Sequence, residues 1–127
     1  LGRDWTAVHR SNLLNPTAAP ALSHVEKCLK DTTGPIIAAT DYVRLFAEQI
    51  RPAIQHMGRR YEVLGTDGFG RSDTREQLRH FFEVDRRWIT VAALKALADD
   101  GKIDRKKVGE AIAKYQIDPN KPNPMKV

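Results

Sequence analysis

The stretch GTDGFGRSD, residues 65–73, sets three glycines, two aspartates and an arginine between an apolar run, YEVL, and a helix-like run, TREQLRHFF. Strand, glycine turn and helix is the layout in which backbone N–H groups cradle a phosphate. It is also the layout of an ordinary tight connection in an α/β domain. Gly65-x-x-x-x-Gly70-Arg71-Ser72 departs by one residue from the phosphate-loop pattern, because Arg71 stands where lysine is required. That lysine reaches the β- and γ-phosphates as a compact charge, and a planar guanidinium is no neutral replacement for it. Asp67 and Asp73 would also set two negative charges beside the polyphosphate. A second part of such a site is available in IIAATD (36–41), an apolar strand ending in an aspartate that could hold magnesium. The dinucleotide pattern fails because Asp73 occupies its third glycine position. A calcium loop fails because Phe69 and Arg71 stand where oxygen ligands belong.

Other chemistry is thinner. His24 and Cys28 lie four apart on a predicted helix and can share a face, but two ligands do not make a zinc site. His9, His56 and His80 are scattered and read as surface or partly buried residues, and Cys28 reads as a small core residue. Arg71, Arg75 and Arg79 recur every four residues, with Arg86 and Arg87 following and Phe81, Phe82 and Trp88 interleaved. A basic helix with aromatics can grip a nucleic-acid backbone. Asp73, Glu76, Glu83 and Asp85 interrupt the stripe at helical pairing distances, which favours a solvated or interface face instead. The net charge of +5 permits an acidic partner without requiring one. A single cysteine excludes an internal disulfide framework and points to a reducing, cytoplasmic setting. No apolar run approaches the roughly 18 to 20 residues of a membrane span. The first residues, LGRDWTAVHR, carry neither a signal-peptide core nor an initiator Met, so the chain reads as a fragment or a processed product.

These residues need elements to position them. At 127 residues the chain suffices for one domain. Residues 1–21, with Pro16 and Pro20, read as an irregular lead-in; 22–118 form the domain; 119–127, with three prolines, form an extended arm. Helices are expected over 22–30, over 42–50 capped by Asp41 and stopped by Pro52, and after Asp73, whose spacing to Glu76 suits a capping box. In the second of these Val43, Phe46 and Ile50 share the inward face. Two further helices are capped by Asp85 and Asp104. Residues 36–40 and 61–65 are apolar strands, so the fold class is α/β with parallel pairing. Gly68 and Gly70 are the expected positive-φ positions of the loop.

One longer text is specific. ATDYVRLFAEQIRP, YEVLGTDGFGRSDTREQLRHFFEVD, VAALKALADDGKID and AIAKYQIDPNKPNP resemble, in order, the C-terminal domain of the homodimeric pyruvate dehydrogenase E1 component, within the transketolase superfamily. LNPTAAP in the lead-in resembles the same family, and the D-x-F-G-x-S loop of transketolases falls at the same place. The resemblance implies a three-layer α/β domain with strand and helix elements preceding residue 1. It makes residues 65–73 a strand-to-helix connection, in which Phe69 plugs the domain and Arg71, Ser72 and Asp73 organise the helix start. Asp67, Gly68, Phe69, Gly70, Arg71, Ser72 and Asp73 are then a structural or interface loop, serving dimer contact or lipoyl-domain docking.

The family's enzyme uses thiamine diphosphate and magnesium to decarboxylate pyruvate. It passes the two-carbon unit to a lipoyl group on dihydrolipoyl acetyltransferase. Its cofactor motif is G-D-G with an asparagine downstream; here Thr66 replaces the first glycine and the next asparagine is Asn120. The resemblance therefore implies no catalytic, cofactor or metal residue in this chain. Its implied partners are the remainder of the E1 chain, the homodimer mate and the acetyltransferase, in a bacterial cytoplasm, with no membrane or nucleic acid. A free-standing basic module binding an anion or nucleic acid on the same fold is the alternative.

Overall fold

Ile36, Ile37 and Val63 are β-branched residues in runs too short and too apolar for a surface helix, and both runs become strands. A computed structural model describes all 127 residues. In it β1 (Ile36–Ala39) and β2 (Tyr61–Leu64) form a two-stranded parallel sheet, with Ile36 opposite Tyr61 and Ala39 opposite Leu64. The ladder is closed by Ile36 N–H donating to Arg60 O at 2.9 Å and Thr40 N–H to Leu64 O at 3.0 Å. The expected α/β class with parallel pairing holds.

Helices α1 (Gly2–Leu14) and α2 (His24–Leu29) precede β1. Helices α3 (Arg44–Glu48) and α4 (Arg51–His56) make the crossover. Helices α5 (Arg75–Phe81), α6 (Arg86–Asp99) and α7 (Arg105–Lys114) follow β2. Helix α6 packs on both strands and on α7, while α3 and α4 lie against β2. The core joins Val25, Ala53, Ile54, Tyr61 and Val63, with Trp5, Leu29 and Ile36 against it. Ile54 is fully buried, a contribution of about 1.5–3 kcal/mol relative to an exposed side chain. The Tyr61 ring lies under the Arg51 guanidinium, and its hydroxyl donates to Ala47 O at 2.8 Å. Burial of that ring pushes the phenol pKa up.

Several elements differ from the sequence expectation. Residues 1–21 are not an irregular lead-in throughout, because 2–14 are helical. That helix is tied down by Asp4, which accepts from His24 N–H at 2.7 Å, and by Asn12, which exchanges two hydrogen bonds with the Ala21 backbone. Pro52 does not stop a helix; it sits in the first turn of α4, where its missing N–H needs no partner. Asp41 caps nothing, since α3 begins at Arg44. Of the expected inward face, Val43 and Phe46 are exposed and only Ile50 packs on the core. The cap of α5 is Thr74, whose hydroxyl accepts from Gln77 N–H at 3.3 Å, one residue past Asp73. Asp85 and Asp104 cap α6 and α7 as expected.

Residues 119–127 are not a free extended arm. Pro124–Lys126 form a 3-10 turn with Pro124 buried. Lys121 Nζ donates to Phe81 O at 2.8 Å and to Glu83 Oε1 at 3.0 Å. Cys28 is exposed rather than in the core, with its Sγ 3.5 Å from His24 Nε2.

Candidate functional site

Both strands end on the same side of the sheet, because they are parallel, so the segments leaving them must meet. Residues 40–44 leave β1 and residues 65–73 leave β2. The two are stitched together: Thr66 N–H donates to Tyr42 O at 2.9 Å, and Thr66 Oγ1 donates to Asp41 O at 2.8 Å. Asp67 Oδ1 accepts from Arg44 N–H at 3.0 Å, and its Oδ2 lies 3.5 Å from Arg44 Nε. Gly65 is buried in this seam. A Cβ there would stand 2.6 Å from Arg44 Cγ and 3.0 Å from both Arg44 N and Tyr42 O. Its glycine is required by contact, not by φ.

Gly68 does adopt positive φ, at 99°, and a Cβ would also meet the backbone of Pro124 and Met125 at 3.3 Å. Gly70 does not, contrary to expectation, and nothing lies within 4 Å of where its Cβ would be. Phe69 does not plug the domain; it is 86% exposed. The guanidinium of Arg71 covers the Phe81 ring at 4.1 Å. Asp73 accepts from Thr74 N–H at 2.7 Å, while Ser72 is exposed. The loop is thus pinned over 65–68 and open over 69–72. Sequence reasoning named the loop but missed its partners, Tyr42, Arg44 and Met125, which carry no local signal of the pairing.

Beside the loop, Tyr42, Leu45 and Phe46 form an exposed apolar ridge, 65%, 68% and 58% accessible, with the two rings tilted together at 5.2 Å. Arg79 reaches across from α5 and grips Asp41 with two nitrogens, at 3.0 Å from Nε and 2.7 Å from Nη2. That hydrogen-bonded guanidinium holds the Asp41 carboxyl below its usual value. The arginines of α5 therefore do not pair with their own helix's carboxylates, as their spacing suggested; Arg79 pairs with a residue 38 positions away.

A second polar node lies on the far side. Glu26 is buried, and its Oε2 accepts from both Ser23 N–H and Ser23 Oγ at 2.7 Å. Its Oε1 is 3.0 Å from His56 Nδ1. Burial pushes this carboxyl up, but the Ser23 and His56 hydrogen bonds outweigh it and the net pKa is lowered. The Ser23 hydroxyl donates to the Glu26 carboxylate and accepts the Glu26 N–H, so it is taken up by the cap and makes no contact with His56. The node is a capping box locked to α4.

Thiamine diphosphate and magnesium do not fit these residues. The one aspartate of the TDG echo, Asp67, already accepts the Arg44 backbone N–H, and the adjoining Gly65 has no room for even a methyl group. No three His, Cys, Asp or Glu side chains converge as metal ligands.

Residues 9–85 match the transketolase-like C-terminal domain family. Among curated proteins, the chain is 68% identical over all 127 residues to a pyruvate dehydrogenase E1 component of Cupriavidus necator. It is 58% identical over 125 residues to that of Pseudomonas aeruginosa, and 49% identical over 124 residues to that of Escherichia coli (strain K12), each match covering 98% of this chain. In all three cases the chain spans 14% of the relative's length.

Proposed function

This chain belongs to the transketolase-like C-terminal domain family, and on that premise we propose that it works as a non-catalytic part of a pyruvate dehydrogenase E1 component. The observation that carries this reading is 68% identity over the whole chain to a protein of that name. The parent enzyme decarboxylates pyruvate with thiamine diphosphate and magnesium bound on its other domains, in the bacterial cytoplasm, and hands the two-carbon unit to dihydrolipoyl acetyltransferase.

The contribution of this domain is a surface. The apolar ridge of Tyr42, Leu45 and Phe46 is the kind of exposed patch that folded chains bury against a partner, and Phe69 of the loop after β2 is exposed as well. We assign it to packing against the rest of the E1 polypeptide or its homodimer mate. The pinned half of the 65–73 loop holds the ridge in place through Thr66 and Asp67. No helix of the chain is long and apolar enough to cross a membrane.

Two measurements test this. Calorimetric titration of thiamine diphosphate with magnesium into the 127-residue chain should give no saturable heat, and micromolar binding would overturn the non-catalytic assignment. In the natural polypeptide, Leu45→Asp with Phe46→Asp should lower pyruvate decarboxylation or dimer content at least fivefold while thiamine affinity stays within twofold. Unchanged activity and assembly would remove the surface role.

A further inference from the structure

The arginine stripe is only partly used by the contacts described so far. Where β1 ends, residues 39–41 form the floor of a cleft of about 1050 Å³, walled by α5 and the first turn of α6. Arg75, Arg86 and Arg87 line it, and none of them makes an ion pair or donates a side-chain hydrogen bond within the chain. Four arginines from two helices converge on one concavity, and three of them are free.

The acidic residues on the same walls, Asp41, Glu76 and Asp85, offset all but one of the four arginine charges, and the excess lies with the arginines that have no partner. Asp41 is already neutralised by the two-pronged grip of Arg79. Asp85 accepts the N–H groups of Arg87 and Trp88, and its other oxygen lies 3.4 Å from His80 Nδ1. Neutral N–H donors leave Asp85 its charge, so the guanidinium groups of Arg75, Arg86 and Arg87 face two carboxylates, Glu76 and Asp85, and exceed them by one.

We propose that this cleft is a binding site for a small, multiply charged oxyanion of the phosphate class, gripped by Arg75, Arg86 and Arg87. The lining is mostly polar, so a charged ligand suits it better than an apolar one. Guanidinium groups match the fork geometry of phosphate oxygens, and several of them together favour a polyanion over a single carboxylate. The cleft lies outside the carboxyl end of β1. Arg79, paired with Asp41 at the floor, offsets the charge of that carboxylate.

Inorganic diphosphate is the probe, titrated into the natural polypeptide that carries this chain at low ionic strength. Arg86→Gln with Arg87→Gln should weaken one saturable binding component at least tenfold, and Arg75→Gln alone at least threefold. Arg3→Gln with Arg10→Gln removes the same charge from α1 and should leave that component within twofold. Unchanged binding in the cleft variants, an equal loss in the α1 control, or no saturable component below about millimolar diphosphate would each overturn the proposal. Melting curves of all variants should superimpose within a few degrees, because these arginines make no ion pair or side-chain hydrogen bond in the fold.

Discussion

The two halves of the loop leaving β2 look alike in sequence and behave as opposites. Residues 65–68 are closed in: Gly65 by contact, Thr66 and Asp67 by hydrogen bonds to the segment after β1, and Gly68 by positive φ and the C-terminal turn. Residues 69–72 are open, with Phe69 turned to solvent and clear space around Gly70. A glycine-rich run is therefore not one device. Its first part joins two strand ends, and its second part hands the chain to α5 and offers surface.

Gly65→Ala should have the largest effect. The new Cβ would sit 2.6 Å from Arg44 Cγ and 3.0 Å from two backbone atoms, so the 40–44 segment must move. A loss of about 2–3 kcal/mol is expected, the scale of overpacking a tight site. A shift in the urea midpoint at constant slope measures it, and an unchanged midpoint would mean the seam is loose. Gly68→Ala should follow, at about 1–2 kcal/mol, since φ of 99° penalises a Cβ and the Met125 backbone is close. Asp67→Ala should remove about 1 kcal/mol by leaving the Arg44 N–H without its acceptor. Combined with Gly68→Ala it should fall short of additivity, because both act on one seam.

Acid sharpens the contrast between the seam and the far node. Glu26 and Asp41 both have lowered carboxyl pKa values, from ordinary ones of 4.5 and 3.8. The stability each contributes is present above its ordinary value and is lost as pH falls through the lower, folded one. Glu26 is buried and Asp41 exposed, so Glu26→Gln should flatten the acid limb below about pH 4.5 more than Asp41→Asn does. Urea midpoints from pH 7 to pH 3 compare the two. Equal flattening would place the Asp41–Arg79 pair on a par with the buried node.

What was legible in the sequence was local. The strands, the Asp85 and Asp104 caps and the parallel pairing follow from runs and spacings of a few residues, and all stand in the structure. The cap of α5 slipped by one residue because Asp73 and Thr74 are both good capping residues, and only the geometry selects Thr74. Helix α1 carried a readable stripe of Trp5, Val8 and Asn12, each half-buried, but the following Pro16 and Pro20 drew the whole segment into the irregular class. The loop's partners lay beyond local reach: Asp41 meets Arg79 across 38 residues, and Asp67 meets Arg44 across 23. Phe69 illustrates the limit. Burial is the usual expectation for a phenylalanine flanked by glycines, and nothing nearby in sequence says that this one faces outward.

The smallest expected effect is also the one that isolates the open half. Phe69→Ala removes a ring that is 86% exposed, and Gly70→Ala adds a methyl group where nothing lies within 4 Å and φ is not positive. Each should change the stability of the 127-residue chain by less than about 0.5 kcal/mol, as surface substitutions away from caps and cores do. If either costs more, the open half is structural after all and the comparison collapses. If both are silent in the chain, the same substitutions in the natural polypeptide become informative. A ring held outward by the pinned residues before it has no folding role to lose, so any fall in assembly or activity there must come through what Phe69 touches outside this domain. Under the surface role proposed above, Phe69→Ala should then lower dimer content or turnover while Gly70→Ala leaves both unchanged, because only the first removes apolar contact area. Loss in both variants would point to loop conformation, not to the ring, as what the partner reads.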